Sequence, residues 1–165
     1  MPRNVFFSFH HKRDIIRVSR IRNCGTFTDE GQPFLDKAEW EKIKSTGDAK
    51  IKNWIDAQME RTSVLIACIG NEYFKRKWAR YEIRKAYLEK RGIVGIYVHQ
   101  MKNFESTGYP SYDEKGVNPL DTFYFVENGK QIYLSSIFST YDWEKDNGKA
   151  NIERWIEEAA KKVGR

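Results

Sequence analysis

Apolar and polar positions along the chain divide it into alternating short apolar runs and longer periodic stretches. Val5 to Phe9 (VFFSF) is an apolar run halted by His10, His11, Lys12 and Arg13, which reads as a buried first strand entering a polar loop. Ile15 to Arg22, β-branched and basic, reads as a helix. Asn23 to Lys37 holds Gly25, Gly31 and Pro33 and keeps no period, so it reads as a long loop with room for one short strand. From Asp48 the spacing of Ile51, Trp54, Ile55, Gln58 and Met59 is helical, with capping candidates among Ser45 to Asp48. Thr62 to Ile69 (TSVLIACI) is apolar throughout, as in a central strand covered on both faces, and Gly70 ends it.

A helix is expected over Asn71 to Arg91. Its inner stripe is Ala79, Ile83, Ala86 and Tyr87, while Trp78, Glu82, Lys85 and Glu89 share the adjoining face, placing Glu82 at the rim of the buried side. Ile93 to His99 is the third strong strand. Phe123 to Val126 and Gln131 to Leu134 flank an Asn128-Gly129 hairpin signal, which reads as an insertion or an edge. Ile137 to Thr140 reads as a last strand, and Ile152, Trp155, Ile156, Ala159 and Val163 mark a final amphipathic helix. This order predicts one α/β domain over residues 1–165: a flavodoxin-like, three-layer α/β/α arrangement around a mostly parallel sheet, with a β-hairpin insertion near the C-terminus.

The 165 residues suit one core, and a 40% hydrophobic content with 24 aromatics argues against global disorder. No run is long enough to span a membrane and the first residues lack a secretory pattern, so a soluble, cytoplasmic protein is expected. Cys24 and Cys68 make neither a disulfide framework nor a metal ladder, consistent with a reducing compartment. The net charge of +6 is clustered: residues 3–22 and residues 72–91 each carry an excess of five cations. Such clusters suit an anionic ligand such as a nucleotide, polyphosphate or nucleic acid, and suit a solvated face equally well.

In open parallel sheets ligands bind beyond the carboxyl ends of the strands, here just after Phe9, Ile69 and His99. Neither glycine-rich phosphate motif is present, and Ile69-Gly70-Asn71 lacks the aspartate of a phosphoacceptor site. His10, His11 and His99 have no companion ligands at metal spacing, so no metal is expected, and Ser8 lacks an elbow motif. A nucleic-acid partner is not expected either, because no recognition motif accompanies the charge.

Trp78-Ala79-Arg80-Tyr81-Glu82 places an aromatic and a carboxylate one helical turn apart. Read by itself, Glu82 is equally a helix-face partner for Arg80, Arg84 or Lys85. In company with VFFSFH at 5–10, RN at 22–23, DKAEWEKIKSTGD at 36–48, TSVLIACIG at 62–70, KWARYEI at 77–83, NPLD at 118–121 and YDW at 141–143, the chain resembles the bacterial TIR-like (Toll/interleukin receptor-like) domains of Thoeris antiphage defence systems. That resemblance implies an enzyme that uses NAD as substrate with no separate cofactor. It would cleave the nicotinamide glycosidic bond and release a diffusible cyclic ADP-ribose isomer that activates a separate effector protein.

The resemblance assigns Glu82 as the catalytic carboxylate and Trp78 as the aromatic beside it. It places the first-strand exit, Ser8, Phe9, His10 and His11, on the nucleotide cleft, with Asp36 and Trp40 nearby. Trp40 serves equally as a plug between helices and Asp36 as a helix N-cap. The Gly31-Gln32-Pro33 order departs from the Pro-Gly tip of animal TIR domains, so contacts through that loop do not carry over. One carboxylate suffices for this chemistry, because nicotinamide leaves as a neutral pyridine and needs no proton, unlike the alcohol of an ordinary glycoside. Trp78 or Phe9 would stack on the nicotinamide or adenine, and nearby basic groups would hold the diphosphate. The insertion between His99 and Ile137 offers a contact for a phage-derived trigger or for a neighbouring subunit of a homo-oligomer, and its residues do not choose between them. The competing reading is a non-enzymatic TIR adaptor acting through head-to-tail assembly, with the loop around Phe34 as its contact and Glu82 as a structural acid.

Overall fold

Strand β1 (Val5–Ser8) is buried along its whole length, as a strand must be when apolar side chains point to both faces. The fold is known from a computed structural model that describes residues 2–25, 27–29, 32, 37–103, 108, 109 and 111–165, without the side chains of residues 37, 38 and 40. Strands β2 (Val64–Ile69) and β3 (Gly92–Tyr97) join β1 in parallel, Val5 pairing with Val64 and Val64 with Gly92. A short β6 (Thr140–Asp142) adds to the far side of β3, giving the parallel order β1-β2-β3-β6.

Alternation along the strands builds two cores. Val5, Phe7, Val64, Ile66, Cys68, Val94 and Ile96 face one layer, which α1 (His11–Arg22) and α5 (Gly148–Lys162) supply through Val18, Ile21, Ile152, Trp155 and Ile156. Phe6, Leu65, Ala67, Ile69 and Ile93 face the other, met by Ile51, Ile55 and Met59 of α3 (Asp48–Met59) and by Ala79, Ile83 and Ala86 of α4 (Lys77–Leu88). This is the expected α/β/α class with its parallel sheet. Gly92 shows how close the first layer lies: a Cβ there would stand 2.5 Å from the backbone carbonyl of Ala159 in α5. Gly92→Ala is therefore expected to lower the urea midpoint by an amount equivalent to about 1–3 kcal/mol with little change in slope.

The structure moves several of the expected boundaries. Helix α1 begins at His11 rather than near Ile15, because His10 Nδ1 accepts the Arg13 backbone N–H at 3.2 Å and caps it. Helix α2 (Lys37–Lys44) was not legible in the pattern. The short strand of the long loop is one parallel bridge, Asn4 to Thr28, on the free edge of β1. The helix expected over 71–91 is broken: a 3₁₀ turn covers Tyr73–Lys75, Arg76 is extended at φ −67° and ψ 127°, and only then does α4 start. The last strand lies at Thr140–Asp142 instead of Ile137–Thr140, because Phe138 is drawn into the α4-side core just before it.

The hairpin forms as expected, β4 (Tyr124–Glu127) pairing antiparallel with β5 (Lys130–Tyr133). Asn128 and Gly129 both have positive φ, 53° and 76°, the type I′ geometry that an Asn-Gly pair favours. It is a separate two-stranded sheet beside α4, where Phe125 stacks on Tyr87 at 4.9 Å. Among the described residues no helix is long and apolar enough to cross a membrane.

Candidate functional site

The site forms where β1 ends and the chain turns into α4. Ser8, the last residue of β1, points to the α4 side of the sheet. Its Oγ donates to Glu82 Oε2 at 2.8 Å and lies 2.6 Å from the Tyr73 hydroxyl. Glu82 projects from the second turn of α4 and is only 2% exposed, so it lies inside the buried face rather than at its rim. Its partner is none of the helix-face cations expected from spacing. Arg76 donates from Nη2 to Glu82 Oε1 at 2.8 Å and from Nη1 to Oε2 at 3.3 Å, and Nη1 also reaches Ser8 Oγ at 3.3 Å.

Arg76 meets Glu82 only because the helix is interrupted. In an unbroken α-helix residues six apart point about 120° away from each other, whereas the extended Arg76 lets the guanidinium fold back over the first turn. Glu82's charge raises the Arg76 pKa against the opposing pull of burial, which is the larger single influence. Burial pushes the Tyr73 hydroxyl up, helped by the Glu82 charge, so Tyr73 stays protonated and available to donate. Ser8 in turn donates its own hydroxyl hydrogen bond to Glu82 Oε2, making a Tyr73–Ser8–Glu82 chain that holds the carboxylate from behind.

A cleft of about 370 Å³ opens in front, lined by His10, His11, Lys12, Lys44, Asp48, Ile51, Arg76, Lys77 and Trp78. Arg76 forms part of its wall. Lys12 pairs with Glu41 at 2.8 Å and Lys77 with Asp48, so the cleft is rimmed by cations whose acidic partners are exposed and readily exchanged for a ligand's charge. Trp78 presents a half-buried ring edge-on to Tyr81 at 5.5 Å. The two histidines are kept neutral: burial lowers His11 to about 4, with the Arg76 charge adding to it, and burial followed by Arg76 lowers His10 against Glu72. An unfolded His11 takes its proton near 6.5 and the folded one only near 4. Its stabilising contribution is complete above pH 6.5 and is lost as pH falls toward 4. The denaturation midpoint of His11→Gln is therefore expected to lose less than wild type over that interval. The difference between the two curves isolates His11 from Asp14, whose carboxyl burial raises to about 6 and which acts in the opposite direction.

Of the residues the sequence nominated, Ser8 and Glu82 are in direct contact and His10, His11 and Trp78 line the adjoining cleft. Phe9 is a correction. It is 7% exposed and packs in the α1/α5 core on the opposite side of the sheet, against the His11 ring at 5.5 Å, because consecutive residues at a strand end point to opposite faces. Asp36 and the loop around Phe34 lie outside the described residues, as does the side chain of Trp40, whose backbone is in α2. Arg76 and Tyr73 were missed.

Behind the cleft a second charged cluster fastens the segment after β3. Arg17, with no exposed side-chain surface, donates to Asp14 Oδ1 at 2.8 Å, Asp113 Oδ2 at 2.9 Å and the carbonyls of Met101 at 2.7 Å and Ser111 at 2.9 Å. Arg13 joins Asp113 at 3.0 Å to Glu72 at 3.3 Å, and Glu72 reaches His10 at 3.9 Å. Much of the basic excess in residues 3–22 and 72–91 is thus spent on internal pairs. No group of three or more His, Cys, Asp or Glu among the described residues is placed to hold a metal ion.

The family described as Thoeris protein ThsB, TIR-like domain, matches residues 6–103, which carry β1 through β3 and every residue of the Ser8–Tyr73–Arg76–Glu82 cluster. A Bacillus cereus (strain MSX-D12) protein that bears the provisional name cyclic ADP-D-ribose synthase ThsB1 is 29% identical over 196 aligned residues, covering 94% of this chain and 100% of the relative.

Proposed function

Because this chain belongs to the Thoeris ThsB TIR-like domain family, we propose that it is an NAD-consuming enzyme that releases nicotinamide and makes a cyclic ADP-ribose isomer. In antiphage defence that isomer would serve as a messenger to a separate effector protein. The observation that carries the reading is the position of Glu82: a buried carboxylate at the carboxyl end of the sheet, behind one wall of a cation-rimmed cleft that also presents an indole ring. The name of the Bacillus cereus relative points the same way.

The chemistry follows from what these groups can do. Breaking the nicotinamide glycosidic bond puts positive charge on the ribose C1 and ring oxygen, and nicotinamide departs neutral, carrying the bonding electrons. A carboxylate held in a low-dielectric wall stabilises that charge far more than one in water. Glu82 accepts hydrogen bonds from the ribose hydroxyls, which fixes the sugar as its cation develops. Ser8 and Tyr73 keep the carboxylate from turning away. Trp78 offers a face for a base, and Lys12, Lys44 and Lys77 stand where a diphosphate would lie. A nucleophilic atom elsewhere in the same folded-back NAD then captures C1 in place of water, giving up a proton to solvent as the ring closes.

The test is mass spectrometry of nucleotides after incubating concentrated protein with NAD, with and without lysate of phage-infected cells. Nicotinamide together with a product one water lighter than ADP-ribose is the expected result. A product of linear ADP-ribose mass would keep NAD cleavage and remove cyclisation. If NAD survives even with infected lysate, the adaptor reading takes over.

A further inference from the structure

Glu82 and the cleft do not touch directly. Both carboxylate oxygens are occupied, Oε2 by Ser8 and Oε1 by Arg76 Nη2, and the residue is 2% exposed, while Arg76 is the group that borders both Glu82 and the open space. A ribose hydroxyl entering the cleft therefore meets the guanidinium before the carboxylate.

We propose that Arg76 is a latch on Glu82 that a pyrophosphate-bearing ligand opens, so that Arg76 determines specificity for dinucleotides over nucleosides. This rests on the reading of the site as one that cleaves NAD. The guanidinium fork binds a carboxylate and a phosphate with the same bidentate geometry, so a diphosphate in the cleft competes directly with Glu82 for it. The residue is placed to move. Its backbone is extended between a 3₁₀ turn and α4, its side chain is already 14% exposed, and only its side-chain torsions need to change. The carboxylate is placed to stay, because the Ser8 bond at 2.8 Å and the Tyr73 bond behind it at 2.6 Å do not involve Arg76. Withdrawal of Arg76 uncovers Oε1, the oxygen a ribose hydroxyl needs. A ligand without a diphosphate, such as nicotinamide riboside, fits the same sugar pocket but leaves the latch shut.

The first experiment needs no turnover. Calorimetric titration with inorganic pyrophosphate is run on wild type, Glu82→Gln, Arg76→Gln and the double variant. Competition for one guanidinium predicts that Glu82→Gln binds pyrophosphate about tenfold more tightly than wild type, and that this gain disappears in the Arg76→Gln background. A gain that survives without Arg76 would reflect the lost negative charge alone and would overturn the latch, as would no gain at all. Circular dichroism checks the fold of each variant, and Arg76→Lys replaces Arg76→Gln in the cycle if the latter does not fold, since an ammonium keeps the charge and loses the fork.

The second experiment reads specificity. Wild type is expected to favour NAD over nicotinamide riboside by about 100-fold in kcat/KM, and Arg76→Gln to narrow that to under about tenfold through faster riboside cleavage. Equal losses on both substrates would make Arg76 a mere support for Glu82 and overturn the proposal. If wild type cleaves neither substrate while the calorimetric cycle closes as stated, the NAD-cleaving reading fails and the latch remains.

Discussion

Glu82→Gln is expected to reduce nicotinamide release by about a thousandfold or more, because on the proposed reading the substitution removes the buried charge that would stabilise a cationic sugar, where such a group contributes several kcal/mol. Shape is preserved: the glutamine carbonyl can still accept the Ser8 hydrogen bond of 2.8 Å at Oε2. The stability cost is limited by geometry. Breaking an enclosed ion pair costs about 3–5 kcal/mol when the remaining charge stays trapped, but Arg76 borders the cleft and can turn into water. A loss below about 2 kcal/mol by urea denaturation is therefore expected beside the near-complete loss of product. A variant that is folded and releases nicotinamide at the wild-type rate would show Glu82 to be a structural acid and sink its catalytic role.

The second large effect is structural. Arg17→Ala strands the buried Asp14 carboxylate and leaves the carbonyl of Met101 without its side-chain donor in the interior, for a destabilisation of about 3–5 kcal/mol by urea denaturation. Unlike Arg76, Arg17 is fully enclosed and has no outlet to solvent. The charge is the main source of the cost, so Arg17→Met combined with Asp14→Asn is expected to recover part of it. Asp113 keeps its Arg13 partner at 3.0 Å and needs no change. If Arg17→Ala melts within a few tenths of a kcal/mol of wild type, the cluster contributes nothing to stability.

The strands were legible because a parallel sheet covered on both sides leaves an unbroken apolar run, and TSVLIACI and IVGIYVH are such runs. Helix α2 was not, since KAEWEKIK offers too few apolar positions to set a period. Spacing placed Trp78 and Glu82 on one helix face, yet by itself it could not tell a catalytic acid from a surface one; the resemblance supplied that distinction. Arg76 was hidden by the assumption of a continuous helix, which points it away from Glu82, and Tyr73 by reading a 3₁₀ turn as the helix start. The error at Phe9 was avoidable. If Ser8 faces Glu82, the next residue of the strand must face the other layer.

Parallel pairing of β1 with β2 aligns residues far apart in the chain, Val5 with Val64 and Ser8 with Ala67. Ser8 is thus translated long before the Tyr73, Arg76 and Glu82 it must meet, and the α1 face of the sheet stays open until α5, at Gly148–Lys162, emerges last. A chain cut before α5 leaves Val64, Ile66, Val94 and Ile96 without the helix that covers them.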